Sequence, residues 1–311
     1  MTETLRESAN DLVRGPARPF RAYSSLVRID VGALSHPGRI RANNEDQFFV
    51  TRLARSFETM LSSLPPGDVP ERADEVNYVM VVADGMGGHA AGEVASRLAI
   101  SALVSLVLDL PDWILKVDEH GVPEIERRAR RLVQKVSSML VERGREDNDL
   151  RGMGSTLTAA RSYGRDLLIV HVGDSRAYLY RAGHLHRLTK DHTFAQMLVD
   201  KGQLAPCDIA SSGVAHNLTN AIGGSTEKVD VDVDLLRLED GDRVLLCSDG
   251  LTDLVDDDAI AATLAATKNS KDACAELVRQ ALDDGGRDNI TVIVGSYTLP
   301  DEGTLGASTS A

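Results

Sequence analysis

A chain of 311 residues, 42% hydrophobic and 26% charged, can bury one large core or two ordinary ones. A formal net charge of −13 argues against a general nucleic-acid or acidic-membrane binder, which would carry a basic surface. Cys207, Cys247 and Cys274 have neither paired nor zinc-type spacing, which points to a reducing compartment. The start, Met1-Thr2-Glu3-Thr4, shows no signal peptide, and no apolar run is read as approaching the ~18 residues of a membrane span. The expectation is a cytoplasmic monomer.

Residues 1–25 are polar, with Pro16 and Pro19, and read as an N-terminal extension. Leu26 to Leu34 alternates as a strand, the turn-rich stretch from His36 to Asp46 follows, and then the short apolar Phe48-Phe49-Val50. Residues 51–77, with Pro65-Pro66-Gly67 and Pro70, read as a surface insertion with one short helix. Tyr78 to Ala83 is a buried strand ending in Asp84-Gly85-Met86-Gly87-Gly88-His89. Val94, Leu98, Ala102 and Leu106 recur at helical spacing between Gly92 and Leu110, and a second helix runs from Ile125 to Gly144 with a basic outer face.

Beyond Gly152 the texture changes to strands: Ser155 to Ala160, Leu167 to Val172 and Arg176 to Tyr180. His192 to Lys201 is helical and Pro206 to Gly224 irregular. Val229 to Leu238 and Arg243 to Cys247 are strands. Asp256 and Asp272 each cap a helix, Asn289 to Ser296 is the last strand, and residues 299–311 read as a disordered tail. Strands in runs, with long helices collected in pairs, indicate an α+β fold.

Acids recur at strand boundaries: Glu45 and Asp46, Asp84, Asp174, Asp249 and Asp288. Taken singly, each has the reading of a turn former. The glycines after Asp84 also suggest a backbone cradle for phosphate, although neither G-x-G-x-x-G nor G-K-[ST] is present. Together the acids argue for something else, because several carboxylates brought to one rim need compensation. A hard divalent cation such as Mg²⁺ or Mn²⁺ supplies it, and the lack of a Cys/His cluster disfavours structural zinc.

Arg41-Ala42-Asn43-Asn44-Glu45-Asp46, Asp84-Gly85-Met86-Gly87-Gly88-His89, Gly152-Met153-Gly154-Ser155-Thr156-Leu157, Gly173-Asp174-Ser175-Arg176, Ser248-Asp249-Gly250-Leu251 and Arg287-Asp288-Asn289-Ile290 appear in this order. In that combination the chain resembles the bacterial form of the metal-dependent type-2C (PPM) protein serine/threonine phosphatases. The resemblance covers a catalytic domain at residues 26–298, with the family's flap at 195–226. It implies a four-layer α-β-β-α sandwich of two central antiparallel sheets flanked by antiparallel helices. It implies two Mn²⁺ or Mg²⁺ ions, with a third, weaker one in bacterial members.

By the same resemblance Asp84 bridges both metals, the Gly85 carbonyl, Asp249 and Asp288 are further ligands, and Asp174 holds the third. Glu45 and Asp46 bind or orient metal waters, and Arg41 grips the substrate phosphate. His89 is the candidate general acid by its own position rather than by the resemblance, in competition with a metal-bound water and with a packing role at the helix N-terminus. Eukaryotic relatives place a histidine directly after Asp-Gly, where this chain has Met86. The implied reaction is hydrolysis of phosphoserine or phosphothreonine by in-line attack of a metal-bridging hydroxide, opposing a Ser/Thr kinase that shares its substrates. The alternative is a catalytically weak module that binds a phosphoprotein or signalling partner. Asn289 and Ser175 read as turn and supporting residues, Gly152 to Thr156 as a tight strand entry, and His171 as a satisfied core histidine.

Overall fold

Val81 and Ala83 pack against helices while Met80 and Val82, on the same strand, pack against a second sheet. That two-sided burial makes the fold layered. The computed structural model describes residues 23–65, 67–87, 91–109, 121–209, 212–224 and 228–300. Among them one antiparallel sheet contains β1 (Arg28–His36), β12 (Ile290–Thr298), β11 (Arg243–Cys247), β7 (Arg176–Arg181) and β8 (His184–Arg187), in that order. The other runs β10 (Asp232–Arg237), β6 (Asp166–Val172), β5 (Leu157–Tyr163), β3 (Arg72–Met86), β4 (Gly154–Ser155) and β9 (Ile222–Gly223), with β2 (Asp46–Glu58) paired to β3.

Two helices, α1 (Ala91–Leu108) and α2 (Val122–Glu146), cover the second sheet through Ala95, Ala99, Val133, Val136 and Leu140. Two more, α5 (Asp257–Ala266) and α6 (Ser270–Asp283), cover the first through Ile260, Ala273, Leu277 and Val278. Between the sheets lie Met80, Val82, Ile169, Leu179, Val244, Leu246 and Ile293. Residues alternate along each strand, so β11 sends Leu245 and Cys247 to the helices and Val244 and Leu246 to the opposite sheet. The four-layer α-β-β-α arrangement is therefore present.

Several local expectations need correction. Among the described residues of 51–77 there is no helix: Thr51 to Glu58 and Arg72 to Asn77 are the outer half of the β2–β3 hairpin, in continuous register from Asp46↔Asp84 to Glu58↔Arg72. Only the turn between the strands is irregular. The helix assigned to a cap at Asp272 starts earlier, where the Asn269 side chain accepts from the Asp272 N–H, whereas Asp256 caps α5 by accepting from Ala259 N–H as expected. A short helix, α4 (Asp249–Thr252), follows β11 directly. The flap region at 195–226 holds most of α3 (Phe194–Asp200), a 3-10 turn at Pro206–Asp208, and β9.

At the chain ends, Tyr23–Leu26 form a 3-10 turn. Leu299, read as the first residue of the tail, is instead buried between the sheets, and its N–H donates to Asp240. Residues 1–22 and 301–311 lie outside the described residues. The expectation that no apolar run approaches a membrane span also fails for α1, which over 18 residues has a mean hydropathy of 1.6. Its apolarity has a packing cause, since Ala91, Ala95, Ala99, Ala102 and Leu103 belong to the core over β3.

Two outcomes follow. Leu246→Ala, in the inter-sheet layer, lowers unfolding free energy by about 2–5 kcal/mol, measured by denaturant titration. Replacing residues 60–70 by a short turn leaves the folded core intact by the same measurement, whereas deleting all of 51–77 removes paired strand and the buried Val76 and Asn77 and costs the fold.

Candidate metal centre

The register of β2 and β3 places Asp46 directly opposite Asp84. Like charges across a strand pair are unfavourable, and here the arrangement comes at the end where both strands leave the core. The Asp84 backbone is pinned from the neighbouring strand entry: its N–H donates to Thr156 Oγ1 (2.9 Å), and its carbonyl accepts from Thr156 N–H (2.8 Å) and Ser155 Oγ (2.9 Å). Thr156 Oγ1 in turn meets Ser175 Oγ at 2.8 Å, beside Asp174. Gly173, at φ +112°, turns the chain there, and a Cβ on it would stand 2.6 Å from Thr156 Cγ2. These small residues frame the acids and leave no free hydroxyl nucleophile among Ser155, Thr156 and Ser175.

From the other sheet come Asp249 and Asp288. Ser248 occupies the cap position of α4, yet its hydroxyl makes no cap bond. It donates instead to Asp46 Oδ2 (2.6 Å) and accepts from Thr291 N–H (3.0 Å). Asp288 precedes β12 and accepts from Asn289 N–H (2.8 Å) and Arg41 Nη2 (2.6 Å). Asn289 stitches the loop that carries Arg41: its Nδ2 donates to Pro37 O (3.0 Å) and Asn43 O (2.9 Å), and its Oδ1 accepts from Glu45 N–H (2.7 Å). Asn289 and Ser175 thus hold the site's frame, as read from the sequence. His171 is likewise a satisfied core residue, between Thr158 Oγ1 (2.9 Å) and Lys190 O (3.0 Å).

A cleft of about 1450 Å³ opens over these elements, lined by Arg41, Glu45, Asp84, Gly85, Asp174, Asp249 and Asp288. Asp46 lies beneath it, 2% exposed. Burial, only partly opposed by hydrogen bonds from Ser248 and Thr291, pushes the Asp46 carboxyl up to about 7. Asp84 is driven well above the carboxylate range by burial and then by the charges of Asp46, Asp249, Asp174 and Asp288. Asp174 is raised well above that range too, by burial and by Asp249 and Asp191. Glu45 is raised by burial, with Arg41 opposing.

Mutual repulsion on this scale calls for cations. Asp46 Oδ1 and Asp249 Oδ1 are buried with no hydrogen-bond partner, the mark of oxygens set aside for another ligand. Most donors are hard oxygens, so the residues fit Mn²⁺ or Mg²⁺. Gly85 lines the cleft with a packing reason of its own, because a Cβ there would stand 1.9 Å from Gly92 O at the start of α1.

Of the candidates read from sequence, the structure brings Arg41, Glu45, Asp46, Asp84, Gly85, Asp174, Asp249 and Asp288 together. His89 falls outside the described residues. The sequence reading missed His216, whose Nδ1 stands 3.5 Å from Asp249 Oδ2 and whose Nε2 stands 3.5 Å from Asp253 Oδ2. It also missed Asp253, pushed up to about 6 by burial and Asp249. Asp253 falls one helical turn after Asp249, a usable signal; His216 sits in an aperiodic stretch and gave none.

The Protein phosphatase 2C family profile matches residues 71–284, which contain Asp84, Asp174 and Asp249. The chain belongs to the protein phosphatase 2C family. Arg41, Glu45, Asp46 and Asp288 lie outside the matched span, and the fold carries them to the same cleft. Against serine/threonine protein phosphatase PstP of Mycobacterium tuberculosis the chain is 37% identical over 273 residues, covering 87% of this chain and 45% of the relative. The chain thus spans just under half the length of that protein. Against serine/threonine phosphatase Stp of Listeria monocytogenes it is 33% identical over 266 residues, covering 86% of this chain and 95% of the relative. A crystal structure of the PstP catalytic domain in complex with two manganese ions superposes with a TM-score of 0.68 at 35% identity, covering 88% of this chain and 99% of that one.

As a family member the chain should betray its acid cluster in its stability. The folded Asp46 titrates at about 7, against roughly 4 for an unfolded aspartate. The folded state therefore binds more protons in between, so stability is full below pH ~4 and is lost as pH rises through ~7. In EDTA the guanidinium midpoint falls from pH 5 to pH 8, and saturating Mn²⁺ at pH 8 raises it again. A flat profile in EDTA would contradict the assignment.

Proposed function

We propose that this chain is a metal-dependent protein phosphatase that hydrolyses phosphoserine and phosphothreonine in proteins, opposing a Ser/Thr kinase that shares those substrates. The observation that carries the reading is the convergence of Asp84, Asp174, Asp249 and Asp288 on one cleft with Arg41 at its edge. The chemistry that Mn²⁺ or Mg²⁺ supplies in such a cleft is charge neutralisation on the phosphoryl oxygens and activation of water. Family membership and the manganese-bound PstP domain support the choice of cation.

Arg41 meets the substrate. Its side chain is 56% exposed and rests on Asp288, so an arriving phosphomonoester competes for a guanidinium already aimed at the cleft. The planar fork can hold two phosphate oxygens at once, which a lysine cannot. Asn289 keeps the Arg41 loop against Asp288, and Ser248 keeps Asp46 under the floor; both are positioning residues. The alternative, a binding module without turnover, would be expected to lack one or more of the cleft carboxylates, and every one expected is present.

Hydrolysis of p-nitrophenyl phosphate is the assay. Activity appears with Mn²⁺, disappears in EDTA, and falls at least about 100-fold in Asp249→Asn. Activity that survives chelation or that substitution sinks the reading. Arg41→Ala raises KM for a phosphopeptide about tenfold or more, with a smaller change in kcat, because it removes a contact made already in the bound substrate.

A further inference from the structure

Four arginines line the cleft, and three of them are already matched by acids. Arg41 rests on Asp288 (2.6 Å), while Arg176 and Arg187 share Asp191. Among the described residues the guanidinium of Arg287 makes no hydrogen bond and no ion pair. Arg287 is exposed and stands one position before Asp288. In a chain whose formal net charge is −13, a carboxylate to match it would be easy to supply. An unmatched guanidinium at the cleft instead keeps its full attraction for an incoming anion.

The backbone beneath Arg287 is fixed on both sides. At the end of α6, Gly285 N–H donates to Leu282 O (3.1 Å) and Gly286 N–H to Ala281 O (2.9 Å), and Gly286 takes a left-handed φ of +51°. Gly286 O then accepts from Arg39 N–H at 2.7 Å. A Cβ on Gly38 would stand 2.2 Å from Asp288 O, so the two loops meet backbone to backbone. Asn289 completes the clasp through Pro37 O and Asn43 O. The acids nearby are otherwise engaged or out of range: Asp283 is held by Arg39 and Arg279, Asp288 by Arg41, and Asp284 forms no ion pair among the described residues. One rooted rim therefore carries two arginines, Arg41 matched and Arg287 free.

We propose that Arg287 is a specificity-determining residue that receives an acidic side chain of the substrate, an aspartate or glutamate close in sequence to the phosphorylated residue. The proposal rests on the phosphatase reading of the same cleft and narrows its substrate class. Arg287 and Asp288 have Cα atoms about 3.8 Å apart, and an extended peptide advances about 3.3 Å per residue. A carboxylate within about three positions of the phosphorylated residue can therefore reach Arg287 while the phosphate lies over the cleft acids. The same guanidinium discriminates by repulsion, since a lysine at that substrate position meets a like charge.

The test is kcat/KM with Mn²⁺ for phosphoserine peptides that carry a single Glu, Gln or Lys at each flanking position in turn. The wild-type chain is expected to favour Glu over Gln by about two- to fivefold at one or more positions, the size of an exposed ion pair, with Lys the poorest. Arg287→Gln brings the Glu-to-Gln ratio to about one, and Arg287→Glu reverses the order so that Lys leads. Comparing peptides within one variant cancels any general loss of activity, which is all that a structural role for Arg287 would produce. A wild-type chain with no Glu preference at any position, or a preference that survives in Arg287→Glu, overturns the proposal. Hydrolysis of p-nitrophenyl phosphate, which has no flanking residue, reports separately on the phosphatase reading. Fluorescence anisotropy of the same peptides with Mn²⁺ reads the same ratios as affinities, independently of turnover. Arg287-dependent binding of the Glu peptides without turnover refutes the phosphatase function and leaves the acid subsite standing, whereas turnover without a Glu preference does the reverse.

Discussion

Carboxylates crowded at the seam of two sheets are the constraint on which this structure turns. Asp46 and Asp84 face each other across one strand pair, and Asp249 and Asp288 arrive from the other sheet. Burial and proximity raise Asp84 and Asp174 well above the carboxylate range. Such a cluster costs folding free energy in water alone, and it persists only because the surrounding layers over-determine it. The same feature that strains the apoprotein is what lets it hold divalent cations.

The layers do that work through small polar residues rather than bulk. Ser248 gives up its place as a helix cap to hydrogen-bond Asp46. Thr156 and Ser155 hold the Asp84 backbone, and Asn289 binds the Arg41 loop with three hydrogen bonds. Each of these groups sits where an apolar strand ends, so the apolar layers that make the fold also aim the acids. The flap adds His216 from outside the sandwich, through a stem joined to the strand end before Asp174.

The sequence made the buried layers legible and the exposed ones less so. Arg243 to Cys247 was delimited correctly because a fully buried strand is a continuous apolar run. The β2–β3 hairpin was not, because the β2 side of its outer half faces solvent and the polar residues there mimic an insertion. Asn269 and Asp272 are both capping residues three apart, and local sequence cannot choose between them, whereas the structure can. The acids were legible for a simpler reason: each interrupts a run of β-formers. His216 interrupts nothing, and only the flap's path brings it to Asp174. The Gly85 turn shows the same limit, since its need for glycine comes from contact with Gly92, a partner that spacing does not reveal.

The most direct test is the unfolding free energy of the wild-type chain and of Asp84→Asn, each measured at pH 8 in EDTA and in saturating Mn²⁺. If repulsion at this cluster is the governing constraint, Asp84→Asn is more stable than wild type in EDTA and loses most of the Mn²⁺ response, so the two proteins change order between conditions. If Asp84→Asn is the less stable protein in EDTA and responds to Mn²⁺ as fully as wild type, the acids are held for packing alone and the account is wrong.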